Sequence, residues 1–172
     1  MAIIKSKIFI IRPYKKGDEK SLQKNINHKA IYRYTLRIPY PYTMKEAKKW
    51  ISQCIKLKKK KNKKELHFAI DVNGEVIGGL GYIKMEKHKA EIGYWLGKKY
   101  WNKGIMTEAV RLITNFGFTN LKLRRIYAPL FVSNRASARV LEKNGYKREG
   151  LFKKDISKNG KLYNSYLYAK TK

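Results

Sequence analysis

Glu91-Ile92-Gly93-Tyr94-Trp95-Leu96-Gly97-Lys98-Lys99-Tyr100-Trp101-Asn102-Lys103-Gly104-Ile105-Met106-Thr107-Glu108-Ala109-Val110 is the stretch from which the fold can be read. Its first six residues are rich in apolar and aromatic side chains and read as a buried strand. The next eight break that pattern with two glycines and three lysines. From Ile105 the period is helical, through Ala109, Leu112, Ile113 and Phe116, with Met106 and Thr107 in the first turn. A strand that enters a basic glycine loop and leaves as a helix aims unpaired backbone N–H groups out of the helix start. Those donors and the helix dipole make an anion site, for which phosphate is the usual occupant. The loop has neither the Gly-Lys-Ser/Thr ending of a P-loop nor Gly-x-Gly-x-x-Gly spacing.

Composition bounds the rest. A chain of 172 residues with 43% hydrophobic and 13% aromatic content reads as one folded domain spanning 1–172. No apolar run approaches the roughly 20 residues that cross a bilayer, and the start lacks a signal-peptide layout, so no membrane partner is expected. One cysteine, Cys54, suits a reducing cytoplasm and reads as core packing. His28, His67 and His88 are scattered, which gives no zinc spacing. The net charge of +29 predicts salt-dependent attraction to polyanions such as RNA or a ribosome. A lysine-rich composition shared with abundant Ile, Asn and Tyr is equally what compositional bias would produce.

Outward from the central run the elements follow in order. Lys7 to Pro13 reads as a strand, and Asp18 as the cap of a helix carrying Leu22 and Ile26. Residues 28–42, with four tyrosines, two prolines and two arginines, read as a loop-rich connection. Thr43 and Glu46 form a capping box for a helix buried through Ala47, Trp50, Ile51 and Cys54. The lysine run from Lys56 to Lys64 reads as a fraying helix end and solvated loop. Leu66–Val72 and Glu75–Ile83 pair across Asn73-Gly74, and three glycines in the second strand predict a bulge or close backbone packing. Leu123 to Leu130 is a further strand. Ser133 or Asn134 caps a helix ending at Asn144-Gly145. Tyr146–Asp155 and Tyr163–Ala169 close the chain around Asn159-Gly160. The order βααβββαβαββ is an α+β layout.

Three blocks carry a resemblance to a known family. The central run is similar to the acetyl-CoA loop of the GNAT superfamily of N-acetyltransferases, in its RimJ/RimL branch. Tyr40-Pro41-Tyr42-Thr43, Glu46-Ala47 and Trp50-Ile51 resemble that branch's second helix. Asn134-x-x-Ser137 with Val140 to Tyr146 and Glu149-Gly150 resembles its carboxy-terminal signature. Trp101 and Met106 stand where the superfamily pattern has Gln/Arg and Gly/Ala. The resemblance implies a mixed, mostly antiparallel sheet of roughly six to seven strands flanked by about four helices.

It also implies acetyl-CoA as co-substrate, no metal, and direct acetyl transfer to an amine, with a protein N-terminal α-amine as acceptor. Alternatives are a polyamine or antibiotic acceptor, or a non-catalytic module that binds CoA or RNA. The oligomeric state stays open between monomer and homodimer. Residues implied to hold acetyl-CoA are Tyr94, Trp95, Leu96, Asn102, Lys103, Gly104, Ile105, Met106, Thr107 and Asn134. Asn134 is equally a helix cap, and Lys98, Lys99 and Lys103 are equally solvated. Glu91 is implied as general base, against a structural carboxylate hydrogen-bonded across the sheet. The tyrosine many relatives use as acid is replaced by Leu141, which leaves Ser137 to assist the leaving thiolate.

Overall fold

A computed structural model of the chain describes residues 3–60 and 64–172. Residues 1 and 2 and the middle of the lysine run, 61–63, lie outside the described residues. The elements are β1 (Ile4–Lys5), β2 (Ile10–Pro13), α1 (Glu19–Ile26), α2 (Lys29–Arg33), α3 (Met44–Lys59), β3 (Leu66–Val72), β4 (Glu75–Ile83), β5 (Lys89–Leu96), α4 (Ile105–Thr119), β6 (Arg125–Phe131), α5 (Arg135–Lys143), β7 (Lys147–Lys158) and β8 (Lys161–Thr171). The strands form one sheet in the order β1-β2-β3-β4-β5-β6-β8-β7. Every pairing is antiparallel except β5 with β6.

Both faces of the sheet are covered. On one, α4 and α5 enclose the larger core of Phe68, Tyr82, Ala90, Ile92, Ile113, Ile126 and Leu141. On the other, α1, α2 and α3 enclose Leu22, Ile31, Ala47, Ile51, Ala69 and Val76. Alternating side chains along β5 divide between the two: Ala90, Ile92 and Leu96 enter the first, and Trp95 packs on the second.

Local chemistry accounts for the elements and for departures from expectation. The first strand is shorter than the apolar run predicts. Ser6 N–H bonds to Phe9 O at 2.9 Å, so the chain turns and Ile4 pairs back onto Ile11. Asp18 does not cap α1 with its side chain. Its carboxylate takes two 2.8 Å bonds from Arg12, whose Nε also donates to Asp71 at 2.7 Å, because a cation buried in β2 requires counter-ions. The Thr43 hydroxyl accepts from Glu46 N at 3.3 Å as the capping box predicts, while no bond from Thr43 N–H to Glu46 forms among the described residues. Within 28–42 lies the short helix α2, started by His28 Nδ1 accepting from Ala30 N at 3.1 Å. That helix and β1 are the two elements added to the expected layout.

The β4 glycines satisfy both readings offered for them. The register slips between Ile70 and Asp71. A Cβ on Gly81 would stand 2.0 Å from the Leu66 carbonyl oxygen, and one on Gly79 2.2 Å from the Tyr14 hydroxyl. The hairpin tips Asn73-Gly74 and Asn159-Gly160 have positive φ at both residues, the backbone twist a two-residue hairpin requires. The closing hairpin is longer than its apolar pattern suggests, and much of β7 is exposed.

Candidate active site

Parallel pairing of β5 with β6 is confined to Lys89 with Arg125, Ala90 with Ile126 and Glu91 with Tyr127. Beyond that point β6 continues its ladder with β8 to Phe131, and β5 continues with β4 to Leu96. A cleft therefore opens in the sheet directly after Glu91. On its β5 side, the backbone edge that faces β6 has no strand partner from Ile92 onward. Pro129, on the β6 side, has no N–H to leave unpaired there.

The loop beyond β5 is held by three local bonds. Gly97 N–H bonds to Ile77 O at 2.8 Å, a single 3₁₀ turn spans Lys98–Tyr100, and the Trp101 indole donates to Leu96 O at 2.7 Å. Asn102 and Gly104 take left-handed conformations, φ 60° and 73°. Helix α4 then begins with no side-chain cap, and its first main-chain bond runs from Glu108 N to Gly104 O at 3.0 Å. The N–H groups of Ile105, Met106 and Thr107 therefore point out of a fifteen-residue helix. A Cβ on Gly104 would meet nothing within 4 Å, so the space before this helix end is open. Met106, whose length conflicts with close backbone approach, is buried and turned into the core. These features fit an anionic pyrophosphate.

The three loop lysines do not behave alike. Lys99 is bound to Glu75 at 3.2 Å and is thus committed elsewhere. Lys103 lies over the Tyr100 ring at 5.9 Å. Lys98 and Lys103 are exposed.

The candidate catalytic side chains approach the cleft from opposite faces. Glu91 is 9% exposed, and Lys84 Nζ stands 2.8 Å from its Oε2. That oxygen is buried and has no hydrogen bond of good geometry, so the contact is an ion pair rather than an aligned bond. On the other face, Ser137 Oγ donates to the Tyr94 hydroxyl at 2.9 Å, and Tyr94 in turn donates to Ser137 O at 3.2 Å. Desolvation holds the Tyr94 phenol well above its ordinary pKa, against a smaller opposing pull from the Ser137 bond. It is neutral at any working pH. Asn134 Oδ1 accepts from Ser137 N at 3.2 Å, so its oxygen caps α5. Leu141 is fully buried in the core. Trp95 and Leu96 also pack inward, which leaves only backbone to face the cleft.

Two groups without a signal in the sequence complete the frame. Asn144 Nδ2 donates to Thr107 O at 3.1 Å and to Val140 O at 2.8 Å, tying the first turn of α4 to α5. Lys158, on the closing hairpin, donates to Thr35 O at 2.6 Å and to Tyr32 O, while Tyr32 Oη reaches Asn159 Oδ1 at 3.0 Å. This clasp holds the segment after α2 against the closing hairpin and the end of β6, where Tyr34 meets Phe131 edge-on at 6.2 Å.

Comparison with known proteins places this geometry. The profile of the Acetyltransferase (GNAT) domain matches residues 9–147. The chain is 33% identical to the probable N-acetyltransferase YjcK of Bacillus subtilis, over 92% of its own length and 91% of that relative's. It is 38% identical to the uncharacterized N-acetyltransferase p20 of Bacillus licheniformis, where the match spans 55% of this chain and 54% of the relative. The spermidine N(1)-acetyltransferase of Escherichia coli is 25% identical over 90% of this chain and 81% of its own. Among solved structures, RimL, a ribosomal L7/L12 α-N-protein acetyltransferase in complex with coenzyme A, superposes with a TM-score of 0.88. That match is at 25% identity and covers 99% of this chain and 98% of RimL. No helix among the described residues is long and apolar enough to cross a membrane.

Proposed function

The chain belongs to the GNAT family of N-acetyltransferases, and from that premise we propose that it moves acetyl from acetyl-CoA directly to the α-amine of a peptide or protein N-terminus. The observation that carries the reading is the cleft that opens after the Glu91–Tyr127 pair, beside the free N-terminus of α4. The α4 end would hold the pyrophosphate, and the unpaired β5 edge would hold the arm and polarise the acyl oxygen. Bound there, acetyl-CoA supplies the activated acyl group.

Three tasks remain for the chain itself. Glu91, reached through water, takes the proton that the attacking amine loses. The Tyr94–Ser137 pair returns a proton to the leaving sulfur. Either hydroxyl can rotate to donate as the C–S bond breaks, the other reprotonates it along a 2.9 Å bond, and a proton from solvent restores the pair. Trp95, Leu96 and Met106, with their side chains packed into the two cores, hold the β5 edge and the start of α4 in place beside the arm.

Acceptor class follows from proton chemistry and charge. An α-amine has a pKa of about 7.7–8.0 against about 10.4 for lysine, so a weak base suffices for the former only. Arg33 and Arg37 border the segment after α2, and no carboxylate lies between Tyr32 and Tyr42. The likeness to RimL supports a protein N-terminus, and that to the spermidine enzyme supports a small cationic amine. A net charge of +29 disfavours the cation and favours an acceptor presented on an RNA-rich particle such as a ribosome. Competition at low salt between spermidine and peptides with free or blocked N-termini tests this. We expect the free peptides to turn over fastest. Faster turnover of spermidine, or equal turnover of blocked lysine peptides, overturns the assignment.

A further inference from the structure

We infer that Lys84 is a specificity-determining residue of this cleft, which turns away cationic acceptors by occupying Glu91 itself. The inference rests on the N-terminal acetyltransferase reading above. Lys84 follows β4 immediately, where Ile83 pairs with Glu91 across the strands. Its backbone is fixed in a tight turn at φ 48°, and the next N–H, Met85, bonds to Lys64 O at 2.9 Å. The side chain is 61% exposed against 12% for Glu91, so the ammonium covers the carboxylate from the solvent side.

The other charged groups on this face are already committed. Arg37 stands 3.5 Å from Glu65, and His67 Nε2 lies 2.9 Å from the same carboxylate. Arg37 and the Tyr127 phenol are the remaining titratable neighbours of the Lys84 ammonium, whose pKa is raised chiefly by Glu91. Both carboxylates here, Glu65 and Glu91, thus face a cationic side chain. An arriving ammonium would have to displace a tethered counter-ion and lie against its charge. A neutral α-amine asks only for a hydrogen bond to Glu91 through water, which Lys84 does not oppose.

The test compares kcat/KM for spermidine with that for a peptide bearing a free N-terminus, at low salt, in wild type, Lys84→Met and Lys84→Arg. Lys48→Met, which removes an equal charge from the exposed face of α3, controls for the general field. Lys84→Met should raise the spermidine-to-peptide ratio roughly tenfold, the effect of about 1.4 kcal/mol of like-charge repulsion at a partly exposed site. The gain should appear in KM for spermidine rather than in kcat. Lys84→Arg should restore the wild-type ratio and Lys48→Met should not move it. An unmoved ratio in Lys84→Met, or an equal shift in Lys48→Met, sinks the role of Lys84 while peptide turnover leaves the proposed function standing. Failure of wild type to acetylate any peptide overturns both. Lys84→Gln replaces the Met variant should thermal melting show it unfolded.

Discussion

Glu91 and Ser137 lie on opposite faces of one sheet, and the single strand β5 carries both Glu91 and the tyrosine that Ser137 engages. Alternation along the strand produces this division: position 91 faces α1 to α3, and position 94 faces α4 and α5. Glu91→Gln removes the proton acceptor without changing shape. We expect kcat to fall roughly a hundredfold, the lower range for a general base, with acetyl-CoA affinity unchanged by calorimetry. A kcat within twofold of wild type would return Glu91 to a structural role. Ser137→Ala leaves the phenol of Tyr94 in place and should cost about tenfold in kcat, whereas Ser137→Ala with Tyr94→Phe should approach the general-acid limit of about 10². A double variant no slower than Ser137→Ala alone would show that the Tyr94 phenol takes no part in returning the proton. That Tyr94 would meet Ser137 was not readable. The two are 43 positions apart, and neither type of side chain announces a partner. Lys84 was invisible for a similar reason, since one lysine among many carries no signal until the fold sets it beside a buried carboxylate.

The strand–loop–helix unit was legible because the pattern changes twice within twenty residues: a short apolar and aromatic run, then glycine-broken sequence, then a 3.6-residue repeat. What periodicity cannot show is pairing that stops partway. The cleft exists because β5 and β6 separate after three residue pairs, and nothing in either strand's own sequence marks the point except Pro129. The same limit applies to α2, too short for a period, and to Asp18, whose cap position was plain while its burial beside Arg12 was not. At this scale the α4 terminus makes its own prediction. Gly104→Glu sets a carboxylate in the open space before the helix and forces a side chain into φ 73°. Acetyl-CoA binding by calorimetry should fall at least about a hundredfold, as expected from losing two charge-assisted bonds of about 1.5 kcal/mol each. Gly104→Ala, which adds only the backbone strain, should retain most of the affinity. Equal affinity in Gly104→Glu would remove the helix end from the binding site.

Across the molecule, positive charge dominates and most of the twelve carboxylates are paired or hydrogen-bonded. Glu75 shows the consequence. Its pKa is lowered to about 2, first by the hydrogen bond from Asn25 and then by Lys99 and Lys24. A carboxylate depressed in the folded state lends stability that is complete above its unfolded value of about 4.3. That stability is lost as pH falls toward about 2. Glu75→Gln should therefore lower the melting temperature at pH 6 and narrow its gap from wild type as the buffer is taken down through that window. A gap independent of pH would mean that Glu75 contributes packing alone. Whether an N-terminal α-amine is the group acetylated can be tested on one substrate, within a single molecule. A short peptide with a free N-terminus and one internal lysine is incubated with the protein and acetyl-CoA, and the product is sequenced by tandem mass spectrometry. Acetyl on the first residue and an unmodified lysine are expected. Acetyl on the lysine side chain, or no acetylated peptide at all, would contradict it.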